Sequence, residues 1–273
     1  MPEIIEIDAL TKTPWDIWLK CSETQLLHYF EPEPGIFLAE SPNVIERALA
    51  AGYEPVSFLI DKKQLDTQVE NILQRCGEIP VYLAETETIC HISGYHLTRG
   101  VLCAMRRREQ HLPDGLLTAA HRIAVLENVM NPTNLGAIFR SAAALHIEAV
   151  LLTAGCADPL YRRAVRVSMG TVFQVPWTVC TAAPTAEPVI SRLKQSGWMT
   201  AATALTDSAI PIDTPVLHEA DRLAVVLGTE GTGLHPETIT ACDHTVIIPM
   251  APGIDSLNVA AASAVTFWEL RRR

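Results

Sequence analysis

The sequence predicts an α/β protein of two blocks, the second resting on a mainly parallel sheet covered by helices. The first observation behind this is that strand-like apolar runs alternate with helix-like segments along most of the chain. The second is that HRIAVLENV, residues 121–129, reads as a buried strand and opens a new series of strand-then-helix pairs. The third is that residues 107–120, with a charge run and Pro-Asp-Gly, read as a linker between a domain 1–106 and a domain 121–273.

In the first block GIFLAE (35–40) reads as a strand. SPNVIERALAAG (41–52) reads as a helix with Ser41 as N-cap, Pro42 at the first helical position and Gly52 closing it. PVSFLI (55–60) is a strand, DKKQLDTQVENILQRCG (61–77) a helix, and PVYLA (80–84) and GVLCAMR (100–106) are strands. In the second block TNLGAIFRSAAALH (133–146) is a helix, EAVLLTAG (148–155) a strand, PLYRRAVRVSMG (159–170) a helix and VFQVPW (172–177) a short strand. AEPVISRLKQSG (186–197) follows as a helix, then WMTAATAL (198–205), RLAVVLGTEG (222–231) and HTVIIPM (244–250) as strands. The chain ends in an alanine-rich helix for which Ser256 offers an N-cap.

At 273 residues each block is large enough for its own core. Charged residues interrupt every apolar stretch well short of a membrane span, and the acidic start lacks a basic-then-apolar signal pattern, so a cytoplasmic protein is expected. Seven cysteines without a CxxC pair argue against disulfides and zinc, and read as buried thiols; nine histidines show no metal spacing, so no metal is expected. The net charge of −10 disfavours nucleic acid on its face. Its distribution softens that, because residues 1–105 hold 7 Lys and Arg against 16 Asp and Glu, whereas 106–273 hold 14 against 15. Arg106, Arg107, Arg108, Arg122, Arg140, Arg162, Arg163 and Arg166 fall in one arm of the chain, and arginine suits bidentate phosphate contacts as well as ordinary solvated surface.

Three stretches can carry chemistry. In VVLGTEGTGL (225–234), Gly228, Gly231 and Gly233 follow an apolar strand, where glycine permits close approach of a ligand or simply a turn. The spacing is not GxGxxG and there is no Walker lysine, which excludes both nucleotide-phosphate readings. In NPTNLGAIFRSAAALH (131–146), Asn134 sits at a helix entrance, as a cap or a site residue; Arg140, on an otherwise apolar helix, is expected at a partly buried margin with an anionic partner. The joint IPMAPGIDSLNVAAA (248–262) breaks a strand at Pro252-Gly253 and restarts as a helix, leaving backbone groups open to a ligand.

NLGAIFRSA, VLGTEGTGL and IPMAPGIDSLNVAAA resemble, in order, the three motifs of the SpoU (TrmH-like) branch of the SPOUT methyltransferases, and RVSMGTVFQVPW resembles the segment between the first two. The likeness spans residues 121–273; residues 30–105 are similar to the substrate-binding domain often fused in front, a fold related to small ribosomal RNA-binding proteins. The resemblance implies a catalytic domain with a deep trefoil knot, S-adenosylmethionine as cofactor, transfer to ribose 2′-hydroxyls of structured rRNA or tRNA, and a homodimer packed through small residues such as Ala260 to Ala262 and Ala264. It implies that Thr203, Gly228, Ile248 and Leu257 hold the cofactor, largely through backbone groups. It makes Asn134, Arg140, Glu230, Ser256 and Asn258 the catalytic set, with Arg140 beside the acceptor ribose and Glu230 either positioning substrate or tying its own loop. LNVA stands where the family often has LNVS, which removes one hydroxyl. The competing expectations are a noncatalytic RNA-binding or ribosome-assembly protein that keeps the knot, and a generic dinucleotide enzyme.

Overall fold

A computed structural model describes residues 3–7, 18, 21–30, 33–65, 67–93, 100–229 and 231–272. In chain order the first elements are β1 (Glu3–Ile7), α1 (Glu23–Leu27), β2 (Ile36–Glu40), α2 (Pro42–Ala50), β3 (Pro55–Asp61), α3 (Thr67–Arg75), β4 (Pro80–Ala84), α4 (Thr86–Ser93) and β5 (Val101–Arg106). Then come α5 (Leu116–Ala119), β6 (Arg122–Leu126), α6 (Pro132–Ala144), β7 (Ala149–Thr153), α7 (Arg162–Val167), β8 (Trp177–Thr181) and α8 (Glu187–Gln195). The last are β9 (Met199–Thr203), β10 (Ile210–Pro211), α9 (Pro215–Glu219), β11 (Leu223–Leu227), α10 (Pro236–Ala241), β12 (His244–Ile247) and α11 (Val259–Leu270). Two compact units result, Met1–Glu109 with Leu160–Phe173, and Gln110–Pro159 with Gln174–Arg273. The stretch 160–173, read from sequence with the second block, is thus grouped with the first.

Unit one is built on a five-stranded mixed sheet in the order β1-β4-β3-β5-β2, in which β5 runs antiparallel to both β2 and β3. Its apolar core gathers Leu26, Ile36, Leu38, Leu59, Ile89 and Leu102. Residues 160–173 join it through charge and aromatic contacts. The Arg162 backbone N–H donates to Glu23 Oε1 at 2.9 Å, and its guanidinium lies 3.5 Å from the buried Glu40. The Phe173 ring packs on Phe37 and Tyr53, and Arg47 Nη1 donates to the Met169 carbonyl at 2.5 Å. Ser41 holds the N-cap position of α2 without a side-chain cap bond, contrary to the capping expected of it. Its backbone N–H is drawn into the sheet by Val101 O, and its φ is +85°.

Several arginines expected to suit phosphate have contacts within the protein instead. Arg107 is buried with Nε donating to Ile36 O, while Arg106 and Arg108 lie over the rings of Phe30 and Tyr53. β1 was not expected from the sequence, since an edge strand paired on one side only and mostly exposed carries little apolar pattern.

Unit two carries a seven-stranded, all-parallel sheet in the order β10-β12-β9-β11-β6-β7-β8. Every residue of β6, β7 and β11 is buried, which is why those strands read as continuous rather than alternating runs. Ile123, Val125, Leu151, Ile190, Leu193, Trp198 and Val226 form one core cluster, joined by Leu112, Leu116 and Leu117 from the stretch 107–120. Helix α11 packs against α6, with Phe267 and Phe139 fully buried.

The strand expected at 172–177 lies later, at β8. Pro176 has no N–H to give a ladder, so pairing begins at its carbonyl, which accepts from Val150 N–H, and residues Thr171–Phe173 form a 3₁₀ turn instead. All seven cysteines are free, but only Cys103 is fully buried. Burial is nonetheless enough to push the Cys180 thiol up to about 11 and the Cys242 thiol to about 12. No helix among the described residues is long and apolar enough to cross a membrane.

Asp243 fastens β12 to β9. Its carboxylate accepts from the Thr200 N–H at 2.9 Å, the Thr200 hydroxyl at 2.8 Å and Lys194 Nζ at 2.9 Å. Burial raises its pKa, but the bonds from Lys194 and Thr200 together outweigh that and hold it below the ordinary 3.8. A depressed folded pKa contributes stability that is present above the unfolded value and is lost as pH falls through the folded one. Asp243→Asn should therefore lower stability at pH 7 by about 1 kcal/mol, since solvent screens an exposed carboxylate, and flatten the acid limb of a pH–stability curve below pH 3.8, both read by urea titration. Cys180 and Cys242 should resist alkylation at pH 8 in the folded protein and react on unfolding.

Candidate active site

The register of the parallel sheet brings three loops side by side. Leu126 pairs with Leu227, Val226 with Ala202, and Thr203 with Val246, so β9, β11 and β12 end at one edge, and their following loops leave together. Ligands of open α/β sheets bind at that carboxyl edge, where backbone groups have no further ladder partner. A cavity of about 590 Å³ opens there, within the range of small-molecule sites. Thr203, Gly228, Ile248, Leu257, Ser256 and Asn258 all line it, as does Asp255.

The loop after β11 folds back on itself. Gly233 N–H donates to Thr229 O at 3.2 Å, and Gly231 and Gly233 take φ values of +91° and +68°. A Cβ on Gly228 would lie 2.7 Å from both Gly233 C and Leu234 N, so the structural demand for glycine there comes from the loop's own backbone, not from an approaching ligand. Thr203 lines the cavity with its hydroxyl already donating to Val226 O at 2.9 Å.

On the other side the cavity meets the start of α11. The N-cap of that helix is Asn258, not Ser256. Asn258 Oδ1 accepts from Ala260 N–H at 3.0 Å and Ala261 N–H at 3.4 Å, while Ser256 is exposed in the preceding loop. Asn258 Nδ2 donates to Asn134 Oδ1 at 3.3 Å, which joins the first and third motifs. Asn134 is not a cap either, because Asn131 takes that place and accepts from Thr133 N–H at 2.8 Å.

Arg140 was expected at a partly buried margin beside an anion. It is exposed, and among the described residues it has no hydrogen bond or ion pair: the apolar positions of α6 face inward while Arg140 faces out. Glu230 lies outside the described residues.

Sequence reasoning passed over Glu127, treating it only as a break in an apolar stretch. It is fully buried at the end of β6. Its carboxylate accepts from Ala186 N–H at 2.5 Å, His235 N–H at 2.7 Å and the Thr238 hydroxyl at 2.5 Å. It thus joins the starts of α8 and α10, and holds the far end of the cavity loop through His235. An acid at the end of an otherwise buried strand was the available signal.

Glu127→Gln, which puts an amide N–H where one of these donors now points, should lower unfolding free energy by about 1–3 kcal/mol in chemical denaturation. A change within about 0.5 kcal/mol would show that the loop does not depend on this carboxylate.

Comparison with known proteins bears on the whole of this unit. The SpoU rRNA Methylase family model matches residues 121–268. A tRNA/rRNA methyltransferase of Mycobacterium bovis, itself uncharacterized, is 39% identical over 240 residues, 87% of this chain and 81% of that protein. The 23S rRNA (guanosine-2′-O-)-methyltransferase RlmB of Acinetobacter baylyi is 30% identical over 239 residues, 84% of this chain and 94% of its own. The crystal structure of an AdoMet-bound rRNA methyltransferase from Sinorhizobium meliloti shares the fold, with a TM-score of 0.79 at 23% identity over 98% of this chain and 97% of that one. With its motifs gathered at one edge of a parallel sheet and its sequence matched over more than half its length, this chain belongs to the SpoU rRNA methylase family.

Proposed function

We propose that this protein transfers the methyl group of S-adenosylmethionine to a ribose 2′-hydroxyl of structured RNA, ribosomal RNA first and transfer RNA second. The observation that carries this is the cavity at the carboxyl edge, which brings residues of the second and third motifs together and reaches the first through Asn258 and Asn134. Relatives named for tRNA/rRNA methylation and for 2′-O methylation of 23S rRNA guanosine support the substrate class.

The residues present fit the cofactor. The cavity has a small ligand's volume, mixed polar and apolar walls, and a loop and a helix start that offer backbone groups. Thr203, Gly228, Ile248 and Leu257 are assigned to hold it. When bound, it supplies a sulfonium whose methyl is transferred, leaving a neutral thioether. The balance is one O–CH₃ bond formed, one S–CH₃ bond broken and one proton released to solvent.

Arg140 does not serve as a base, because a guanidinium stays protonated at ordinary pH. Exposed and without a protein partner among the described residues, it is assigned to the RNA phosphate and to the charge that develops on the attacking oxygen. Ser256 and Asn258 are assigned to the hydrogen-bond network at the acceptor, and Glu230 to positioning.

A second copy of this chain is assigned to the outer face of α11. Ala261, Val265 and Trp268 are exposed, the last two at 41 and 56%, and fall at helical spacing on one stripe of α11, with Leu257, 40% exposed, in the loop just before it. Leu257 also lines the cavity, so this exposed apolar surface runs up to it. The knot implied by the resemblance is retained as part of this reading: β12 inserts between β9 and β10, away from its sequence neighbour β11.

The test is transfer of labelled methyl to total ribosomal and transfer RNA, followed by digestion to nucleosides. A labelled 2′-O-methyl nucleoside is expected; cofactor and RNA binding without transfer would make this a binding or assembly protein instead. Arg140→Ala should lower turnover by roughly 100-fold while S-adenosylmethionine affinity by calorimetry stays within about twofold. Equal loss of both would remove Arg140 from the acceptor side. Trp268→Glu should give a monomer by light scattering, and an unchanged mass would place the partner elsewhere.

A further inference from the structure

Asn258, which lines the cavity, and Asn134, hydrogen-bonded to it, form a chain that can run in one sense only. Asn258 Oδ1 accepts from the backbone N–H groups of Ala260 and Ala261 at the start of α11. A backbone N–H meets only an acceptor, so this amide cannot be turned round. Its Nδ2 is thereby directed away from the helix, onto Asn134 Oδ1 at 3.3 Å. That contact in turn fixes Asn134. Its oxygen is engaged, and its Nδ2, a donor with two hydrogens, has no partner among the described residues. Asn134 is 8% exposed and does not cap α6, and its Nδ2 is not among the fully buried polar atoms, so this donor opens to solvent, where a ligand can reach it.

We propose that Asn134 is an oriented hydrogen-bond donor to the 2′-oxygen of the acceptor ribose, its sense imposed through Asn258 by the N-terminus of α11. This rests on the methyl-transfer reading above. As the hydroxyl proton leaves for solvent and the O–CH₃ bond forms while the S–CH₃ bond breaks, negative charge passes through the oxygen. A donor held there by a fixed chain strengthens with that charge and needs no reorientation. The positive end of the twelve-residue helix α11 polarises both amides in the same direction. Asn134 is not the proton acceptor, because a neutral side-chain amide has no basicity at ordinary pH.

Two substitutions at Asn258 separate this from simple capping. Asn258→Asp keeps an acceptor for the Ala260 and Ala261 amides but replaces the donor to Asn134 by a second acceptor. Asn134 then turns to donate to it and presents its own carbonyl oxygen to the substrate. Asn258→Ser keeps a capping oxygen and leaves Asn134 unconstrained. Capping ranks Asp with or above Ser.

On the full chain, with total ribosomal RNA as substrate, Asn258→Asp should melt no lower than Asn258→Ser yet turn over more slowly. Its kcat should fall about 100-fold below the unaltered protein, with KM for RNA little changed. Asn134→Ala should show the same split. Turnover that follows melting temperature across the Asn258 pair, or loss confined to KM, would overturn the donor assignment while the methyl-transfer reading stands. An unaltered protein that transfers no methyl to ribosomal or transfer RNA would overturn both.

Discussion

A parallel sheet buried on both faces leaves its polar chemistry to the strand ends, and in unit two one buried carboxylate organises that edge. Glu127 has no cation beside it among the described residues; three donors satisfy it instead, two of them backbone N–H groups that open α8 and α10. Such an arrangement keeps a charge tolerable inside a protein only while all its donors stay in place. The loop after β11 therefore has fixed ends, one in the ladder at Leu227 and one at His235, and the glycines between them set its shape. The cavity inherits its form from that closure.

Helix α11 transmits the same order to the other wall. Arg122, buried at the first position of β6, donates from Nε to the Leu270 carbonyl at 2.7 Å and from Nη1 to the carbonyls of His121 and Asp221. Burial, with Arg272 nearby, lowers its pKa, though a guanidinium so placed remains a cation suited to a helix C-terminus. The helix is thus held at its end by Arg122 and at its start by Asn258. Strand β6 supplies both Arg122 and, just beyond its other end, Glu127, so one short strand fixes the helix that bounds the cavity and the loop that covers it.

Arginine shows how one residue type divides by burial. Arg107 and Arg122 spend their donors on main-chain carbonyls, and Arg162 faces Glu40 inside unit one. Arg140 lies exposed on the face of α6 turned away from its apolar contacts. The net charge of the chain says little about such a site, because a few directed cations suffice where the remainder is solvated acid.

The sequence by itself determined the fold class, most strands and helices, and several of the residues that line the cavity. Continuous apolar runs forced buried parallel strands, and Gly228, Pro252 and Gly253 marked joints where no regular element continues. What it left open depends on contacts between residues far apart in the chain. Asn258, rather than Ser256, caps α11, and Ser41 makes no side-chain cap bond while its backbone N–H donates to the Val101 carbonyl. Glu127 became a structural centre only once α8 and α10 were brought to it from 59 and 108 residues away. Whether a polar side chain is a surface charge, a cap or a site residue is decided by which donors and acceptors surround it, and only the tertiary structure brings those groups together.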